Sequence, residues 1–262
     1  MTRITGEWLH DPALGAVLAA IGGGGHGVWL VGGCVRNALI GRDPGDRDIA
    51  TDAPPDRVMA LARAAGLKPV PTGIDHGTVT VVADGTGFEV TTLRRDVATD
   101  GRRAVVAFTD DIAEDAARRD FTMNALYARP DGAVLDPLGR GLADLAARRV
   151  RFVGDPATRI REDYLRILRF FRFHAWYGDP ATGPDAAGLA GVRALAGGVA
   201  TLSRERVGHE MRRLLAAPDP SPGAVRMAAA GVMGHVLPGG DDTALARLIA
   251  LEREAGAPPE PL

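Results

Sequence analysis

Only one cysteine, Cys34, and one lysine, Lys68, occur in this chain of 262 residues. A lone thiol excludes an internal disulfide and a cysteine-based zinc site. The histidines, His10, His26, His76, His174, His209 and His235, show no metal-ligand spacing such as HExxH. GxxxxGK[ST] is absent, which excludes a P-loop enzyme. Gly22, Gly24 and Gly27 do match GxGxxG, but they precede an apolar run instead of following one, so the dinucleotide-binding context fails. The opening residues lack a basic region followed by a long apolar run. The expectation is a chain with no signal peptide and no membrane span, working in the cytoplasm.

What is present is ordinary globular composition, 46% hydrophobic and 24% charged, with a formal net charge of −2. No global basic field advertises nucleic acid. The cations are nearly all arginine, gathered at Arg94–Arg95, Arg102–Arg103, Arg118–Arg119, Arg148–Arg151 and from Arg159 to Arg172. A planar fork suits phosphates and base edges, although a GC-rich genome produces the same bias.

Periodicity predicts an α/β front half and a helical back half. Residues 8–21 read as a helix, Val28–Val31 as a buried strand, Cys34–Ile40 as a helix and Asp46–Ala50 as a second strand. Pro54–Ala65 reads as a helix, Val79–Val82 and Phe88–Leu93 as strands, and 94–110 as a polar loop holding a short apolar piece at Val105–Phe108. Asp110–Tyr127 reads as beginning helically, which sets Asp120 and Asn124, four apart, on one helix face. Beyond about residue 140 helical segments are expected near 155–177, 185–197, 203–217, 221–230 and 241–254, with a disordered tail. The division expected is a head over 1–145, a helical neck over 146–217 and the start of a helical body over 218–262.

Three carboxylates carry the chemistry. If 46–50 is a strand, Asp46 and Asp48 share a face, because side chains alternate. Two carboxylates that close repel unless a cation neutralises them, and magnesium prefers such oxygen ligands. Glu89, flanked by apolar Phe88 and Val90, can present a third carboxylate on the same sheet face. Two metal ions among such groups suit an in-line displacement at phosphorus. A lone DxD beside glycine and proline is more often a solvated turn, and it is the preceding strand and Gly-Gly that turn the reading toward a metal site. Gly32-Gly33, ending a strand and opening a helix, form an anion site or a tight turn, with Arg36 one turn further on.

Taken together, these segments resemble the class II CCA-adding enzymes and bacterial poly(A) polymerases, of the polymerase β superfamily. Gly32-Gly33-Cys34-Val35-Arg36 through Asp46-Arg47-Asp48-Ile49-Ala50-Thr51 looks like the family's signature. His76-Gly77-Thr78-Val79, Glu89-Val90-Thr91-Thr92-Leu93-Arg94, Arg118-Arg119-Asp120-Phe121-Thr122-Met123-Asn124-Ala125, Asp136-Pro137-Leu138-Gly139 with Asp144-Leu145, Arg161-Glu162-Asp163-Tyr164-Leu165-Arg166, and Ser203-Arg204-Glu205-Arg206 follow in the family's order. The resemblance implies an α+β fold, a polymerase-β-like head of mixed sheet with helices, followed by an all-helical neck and a partial body. It implies two Mg2+ ions held by Asp46 and Asp48, with Glu89 as third catalytic carboxylate. Gly32, Gly33, Arg36 and Arg119 would bind the triphosphate, and Asp120 and Asn124 the ribose 2′-OH. Asp163 and Arg166, positioned by Glu162 and accompanied by Arg169, would read the base.

That last role has its own chemistry. A carboxylate accepts from the exocyclic amine that both C and A carry, and arginine donates to a ring nitrogen or carbonyl. Spacing alone fits a surface ion pair as well. The implied partners are the tRNA 3′ end, CTP and ATP, without a membrane. The 94–108 loop, with Asp96, Asp100, Arg102 and Arg103, resembles the family's flexible loop. Two departures stand out: Asn37 replaces the family's usual Asp after Val-Arg, and the chain stops soon after the neck, where family members continue through a body and tail. A poly(A) polymerase, a partial CC- or A-adding enzyme and an inactive RNA-binding fragment stay open as alternatives.

Overall fold

A computed structural model describes residues 2–99 and 104–239, with 247–248, 251–252 and 254–256. The chain divides into two compact units, one ending at Leu142 and the other beginning at Ala143.

The first unit opens with helix α1 (Pro12–Gly22), capped by the Asp11 carboxylate on the Ala13 N–H, 2.9 Å away. Its Leu14, Val17, Leu18 and Ile21 are buried. There follow β1 (Val28–Val31), α2 (Gly33–Leu39), β2 (Ile49–Thr51), α3 (Pro55–Ala64), β3 (Lys68–Gly73), β4 (Thr78–Ala83) and β5 (Thr86–Thr92). After them come β6 (Arg94–Thr99), β7 (Ala104–Phe108), α4 (Ile112–Ala117), β8 (Tyr127–Ala128) and β9 (Val134–Leu135). Seven strands form one mixed sheet in the order β3-β4-β5-β2-β1-β8-β9, while β6 and β7 pair as a separate hairpin. Within the large sheet β2 and β5 run parallel, with Ile49 opposite Val90. Their neighbours pair antiparallel.

The second unit contains α6 (Pro156–Glu162), α7 (Leu165–Tyr177), α8 (Ala186–Leu195), α9 (Arg204–Leu215), α10 (Ser221–Ala229) and α11 (Met233–Val236), while α5 (Gly141–Ala146) straddles the division. Its core gathers around Phe152, Phe170 and Phe171, the first two stacked at 5.2 Å between ring centroids. Each such fully buried ring contributes about 1.5–3 kcal/mol by leaving water. Gly188 on α8 admits Phe170, since a Cβ there would stand 2.9 Å from the ring. Among the described residues no helix is long and apolar enough to cross a membrane.

Four local features differ from the sequence expectation. Strand β2 starts only at Ile49, so Asp46 lies in the approach to it; Asp48 joins the ladder through its carbonyl, which accepts the Val31 N–H at 3.0 Å. The 118–125 segment is not α-helical: α4 ends at Ala117 and Thr122–Asn124 is a 3-10 turn. There the Asp120 side chain takes the Phe121 N–H at 2.8 Å, a local bond that competes with helix. The helix expected near 155–177 breaks between Glu162 and Leu165, because Asp163 is extended and its carboxylate accepts the Leu165 N–H at 3.1 Å. The apolar piece at 105–108 pairs with 94–99 as a hairpin instead of lying in a loop. Asp100, Arg102, Arg103, most of 241–254 and the last six residues lie outside the described residues.

Candidate active site

In the first unit the parallel pairing of β2 and β5 sets Ile49 against Val90, so one step back along both strands Asp48 lies level with Glu89. Phe88 and Val90 are buried whereas Glu89 is exposed, so Glu89 faces away from the core. On the opposite pleat, Arg47 lies over the Phe88 ring at 5.8 Å and pairs with Asp11. Burial, then Glu89, then Asp46 push the Asp48 carboxyl up to about 6, with Arg119 pulling the other way. The carboxylates therefore sense one another. Even so, no three His, Cys, Asp or Glu side chains among the described residues converge into a ready-made metal cage. A half-buried Asp48 beside the exposed like charges of Asp46 and Glu89, partly offset by Arg119, forms a donor set that fits a hard divalent cation.

Gly32 adopts φ +74° and caps α2, a conformation that favours glycine. Its N–H donates to the Leu126 carbonyl at 3.1 Å, so that amide is committed to the fold. What Gly32 supplies is close approach: a Cβ there would stand 3.4 Å from Nη1 of Arg119. Gly33 begins α2, and a Cβ on it would stand 3.8 Å from Nη2 of Arg36. Arg36 is buried and donates twice to Oδ1 of Asn37, at 3.1 and 2.9 Å, and once to Oδ1 of Asn124. The neutral Asn37 thus still grips Arg36, and its Nδ2 donates to the Asp43 carbonyl at 2.9 Å, which an aspartate could not do.

Asn124 is in turn held by Asp120, whose Oδ1 accepts from its Nδ2 at 2.9 Å. The 3-10 turn brings these two together, where sequence spacing suggested one helix face. Arg36, Asn124 and Asp120 form one buried chain of donors and acceptors, which fixes the Asn124 amide with oxygen toward Arg36 and nitrogen toward Asp120.

Arg119 is anchored by groups that the sequence reading passed over. Its Nη2 and Nε donate to Oδ2 of Asp115 at 3.0 and 3.2 Å, and Nε also reaches the Tyr127 hydroxyl at 3.1 Å. Asp115 is three residues from Arg118 and four from Arg119, the helix pair spacing that signals such contacts.

In the second unit, Glu162 ends α6 between two arginines, with Arg159 at 2.5 Å and Arg166 at 2.6 Å. Nη1 of Arg166 donates also to the Arg159 carbonyl at 3.0 Å. Asp163 turns elsewhere, accepting from Nη2 of Arg206 at 2.8 Å. Arg169 lies 3.7 Å from Glu210, whose other oxygen takes Nε of buried Arg172 at 2.6 Å. Of the expected base-reading set, Glu162 and Arg166 are directly paired, while Asp163 and Arg169 are held from α9.

Comparison with known proteins agrees with this architecture. Residues 28–151 match the poly(A) polymerase head domain, and residues 187–243 match a family described as the probable RNA and SrmB-binding site of polymerase A. The mitochondrial CCA tRNA nucleotidyltransferase 1 of Danio rerio is 44% identical over 190 residues, 71% of this chain and 43% of that protein. The CCA-adding enzyme of Geobacillus thermodenitrificans is 40% identical over 218 residues, 82% of this chain and 52% of that protein. The Bacillus stearothermophilus CCA-adding enzyme, solved in complex with CTP, superposes with a TM-score of 0.79 at 34% identity, covering 92% of this chain and 58% of that one. The chain thus spans about half the length of the relatives it matches. With its mixed head sheet, its helical second unit and these matches, the chain belongs to the class II family of CCA-adding tRNA nucleotidyltransferases, within the polymerase β superfamily.

Proposed function

We propose that this protein adds C and A nucleotides to the 3′ end of tRNA without a template, drawing on CTP and ATP. The observation that carries the reading is the level placement of Asp48 and Glu89 on the paired strands, with the charges of Glu89 and Asp46 felt at Asp48 and partly offset by Arg119 where it approaches Gly32. In this reading the head runs over 1–145, the neck over 146–217 and the start of a body over 218–262. Work in the cytoplasm is part of the proposal; the relatives include bacterial proteins as well as proteins named as mitochondrial.

Asp46 and Asp48 would hold two Mg2+ ions, and Glu89 would complete the carboxylate set. When bound, the metals supply charge neutralisation for the attacking 3′ oxygen and the leaving pyrophosphate. Arg119 and Arg36 would orient the triphosphate beside the Gly32-Gly33 turn. The Asp120–Asn124 pair would meet the ribose 2′-OH, exchanging part of its internal hydrogen bonding for that hydroxyl. Asp163 and Arg166, with Glu162 and Arg169 behind them, would choose C and A by their hydrogen-bonding edges.

The test is incubation of the protein with tRNA lacking its 3′ CCA, magnesium and each nucleotide singly and in combination. Addition of two C residues from CTP, then one A when ATP is also present, supports the reading. A poly(A) polymerase is the second reading, favoured by the head-domain match; it would give long A tracts from ATP alone. No incorporation in any mixture would leave an RNA-binding fragment.

A further inference from the structure

Asp115 lies on α4, 1% exposed, and accepts hydrogen bonds on both carboxylate oxygens. Oδ1 receives Nε of Arg118 at 2.9 Å and the Arg94 backbone N–H at 3.3 Å. Oδ2 receives Arg119 and the Tyr127 hydroxyl, the latter at 2.5 Å. An ionised carboxylate has about four acceptor sites, so Asp115 is saturated by donors from the two arginines just past α4, from the start of β6 and from β8. Burial alone would raise this carboxyl; Arg119, Arg118 and Tyr127 outweigh it and hold it at about 2.

The consequence for Arg119 is directional. A guanidinium is a flat fork with distinct edges. The Nε and Nη2 edge is spent on Asp115 and Tyr127, and the Arg119 plane lies over the Tyr127 ring, 5.2 Å from its centroid. Nη1 is turned to the Gly32 backbone, and the Arg119 charge is felt at Asp48. A long side chain with several rotatable bonds is thereby held in one direction before any ligand arrives.

We propose that Asp115, together with the Tyr127 hydroxyl, is the positioning element that aims Arg119 at the triphosphate of the incoming nucleotide. This rests on the role given to Arg119 above. Asp115 touches no substrate; it acts through the arginine.

The test compares binding of CTP and CMP to the full chain, since a group that aims at the β and γ phosphates affects only the first. Asp115→Asn should weaken CTP by about ten- to a hundredfold, the worth of a charge-assisted hydrogen bond, and change CMP by less than about threefold. Arg119→Ala should do the same, and the double variant should be no worse than Arg119→Ala alone. Should Asp115→Asn fail to fold, Tyr127→Phe removes one hydroxyl and should shift the CTP-to-CMP ratio in the same direction by a smaller factor. If Arg119→Ala keeps the CTP-to-CMP ratio, the triphosphate role of Arg119 falls and this inference with it. If Arg119→Ala loses the ratio while folded Asp115→Asn and Tyr127→Phe keep it, Arg119 stands and Asp115 is a structural tie only. Equal weakening of CTP and CMP overturns the inference as well.

Discussion

Arg206 on α9 reaches Asp163, its Nη2 lying 2.8 Å from Oδ2, so the Asp163 carboxylate is tied across 43 residues of sequence. Both partners are substantially exposed, at 49% and 34% of their side chains. Such a pair contributes about 0–1 kcal/mol to stability. Arg206→Ala should therefore leave the melting temperature nearly unchanged while relaxing the orientation of Asp163. Single-nucleotide incorporation assays should show UTP and GTP gaining several-fold relative to CTP and ATP. A large fall in melting temperature with intact base choice would reverse the assignment.

Arg166 gives a sharper version of the same experiment. Removing a hydrogen bond to a charged group costs about 1.5–3 kcal/mol, roughly ten- to a hundredfold in discrimination. Arg166→Ala should blur the preference for CTP and ATP by that order and slow transfer less than loss of a carboxylate does. If base preference is unchanged, the Glu162–Arg166 contact is an ordinary ion pair across the break between α6 and α7.

Asp46→Ala and Asp48→Ala should each abolish magnesium-dependent transfer. Asp48 is pushed up by burial and by the like charges of Glu89 and Asp46, so its ionised form is a burden on the folded state. Asp48→Asn should accordingly melt at the same temperature as the parent or higher. Circular-dichroism melts beside transfer assays separate the two effects; substantial residual transfer in either alanine variant would remove the metal-ligand role.

His174 on α7 makes stability depend on pH. Burial, then Arg226 and Arg148, lower it to about 4 against a partial pull from Asp179. Nε2 faces Nη1 of Arg226 at 2.8 Å, so it accepts that proton, and the ring stays neutral. Between its folded value and about 6.5 the unfolded chain holds more protons, so stability rises with pH across that window. The contribution is fully present above about pH 6.5 and is lost as pH falls through about 4, by at most about 3 kcal/mol. Denaturant melts from pH 7 to 4 should show this slope, flattened in His174→Gln.

The sequence disclosed some of this and concealed the rest for identifiable reasons. The alternation Phe88-Glu89-Val90 is enough to put Glu89 on the outer face, because one buried face forces period two. Strand β3, Lys-Pro-Val-Pro-Thr-Gly, stayed hidden because its prolines suit only an edge, which is where it lies. The break at Asp163 carries no glycine or proline; a side-chain bond to the Leu165 N–H makes it. Asp115 was overlooked because its spacing to Arg118 and Arg119 is that of many surface pairs, and only burial distinguishes it. Arg206 and Glu210 act across sequence distances that no local pattern records.

Parallel neighbours in a sheet are about 4.8 Å apart, a separation set by main-chain hydrogen bonding. Since Asp48 and Glu89 stand level on the adjoining strands β2 and β5, the sheet acts as a ruler between their points of attachment. Loops may lengthen and rotamers change without resetting that ruler. A single residue inserted between Asp48 and Ile49 would reset it at once, moving the first carboxylate along the strand and onto the opposite pleat while the hydrophobic face of β2 kept its register.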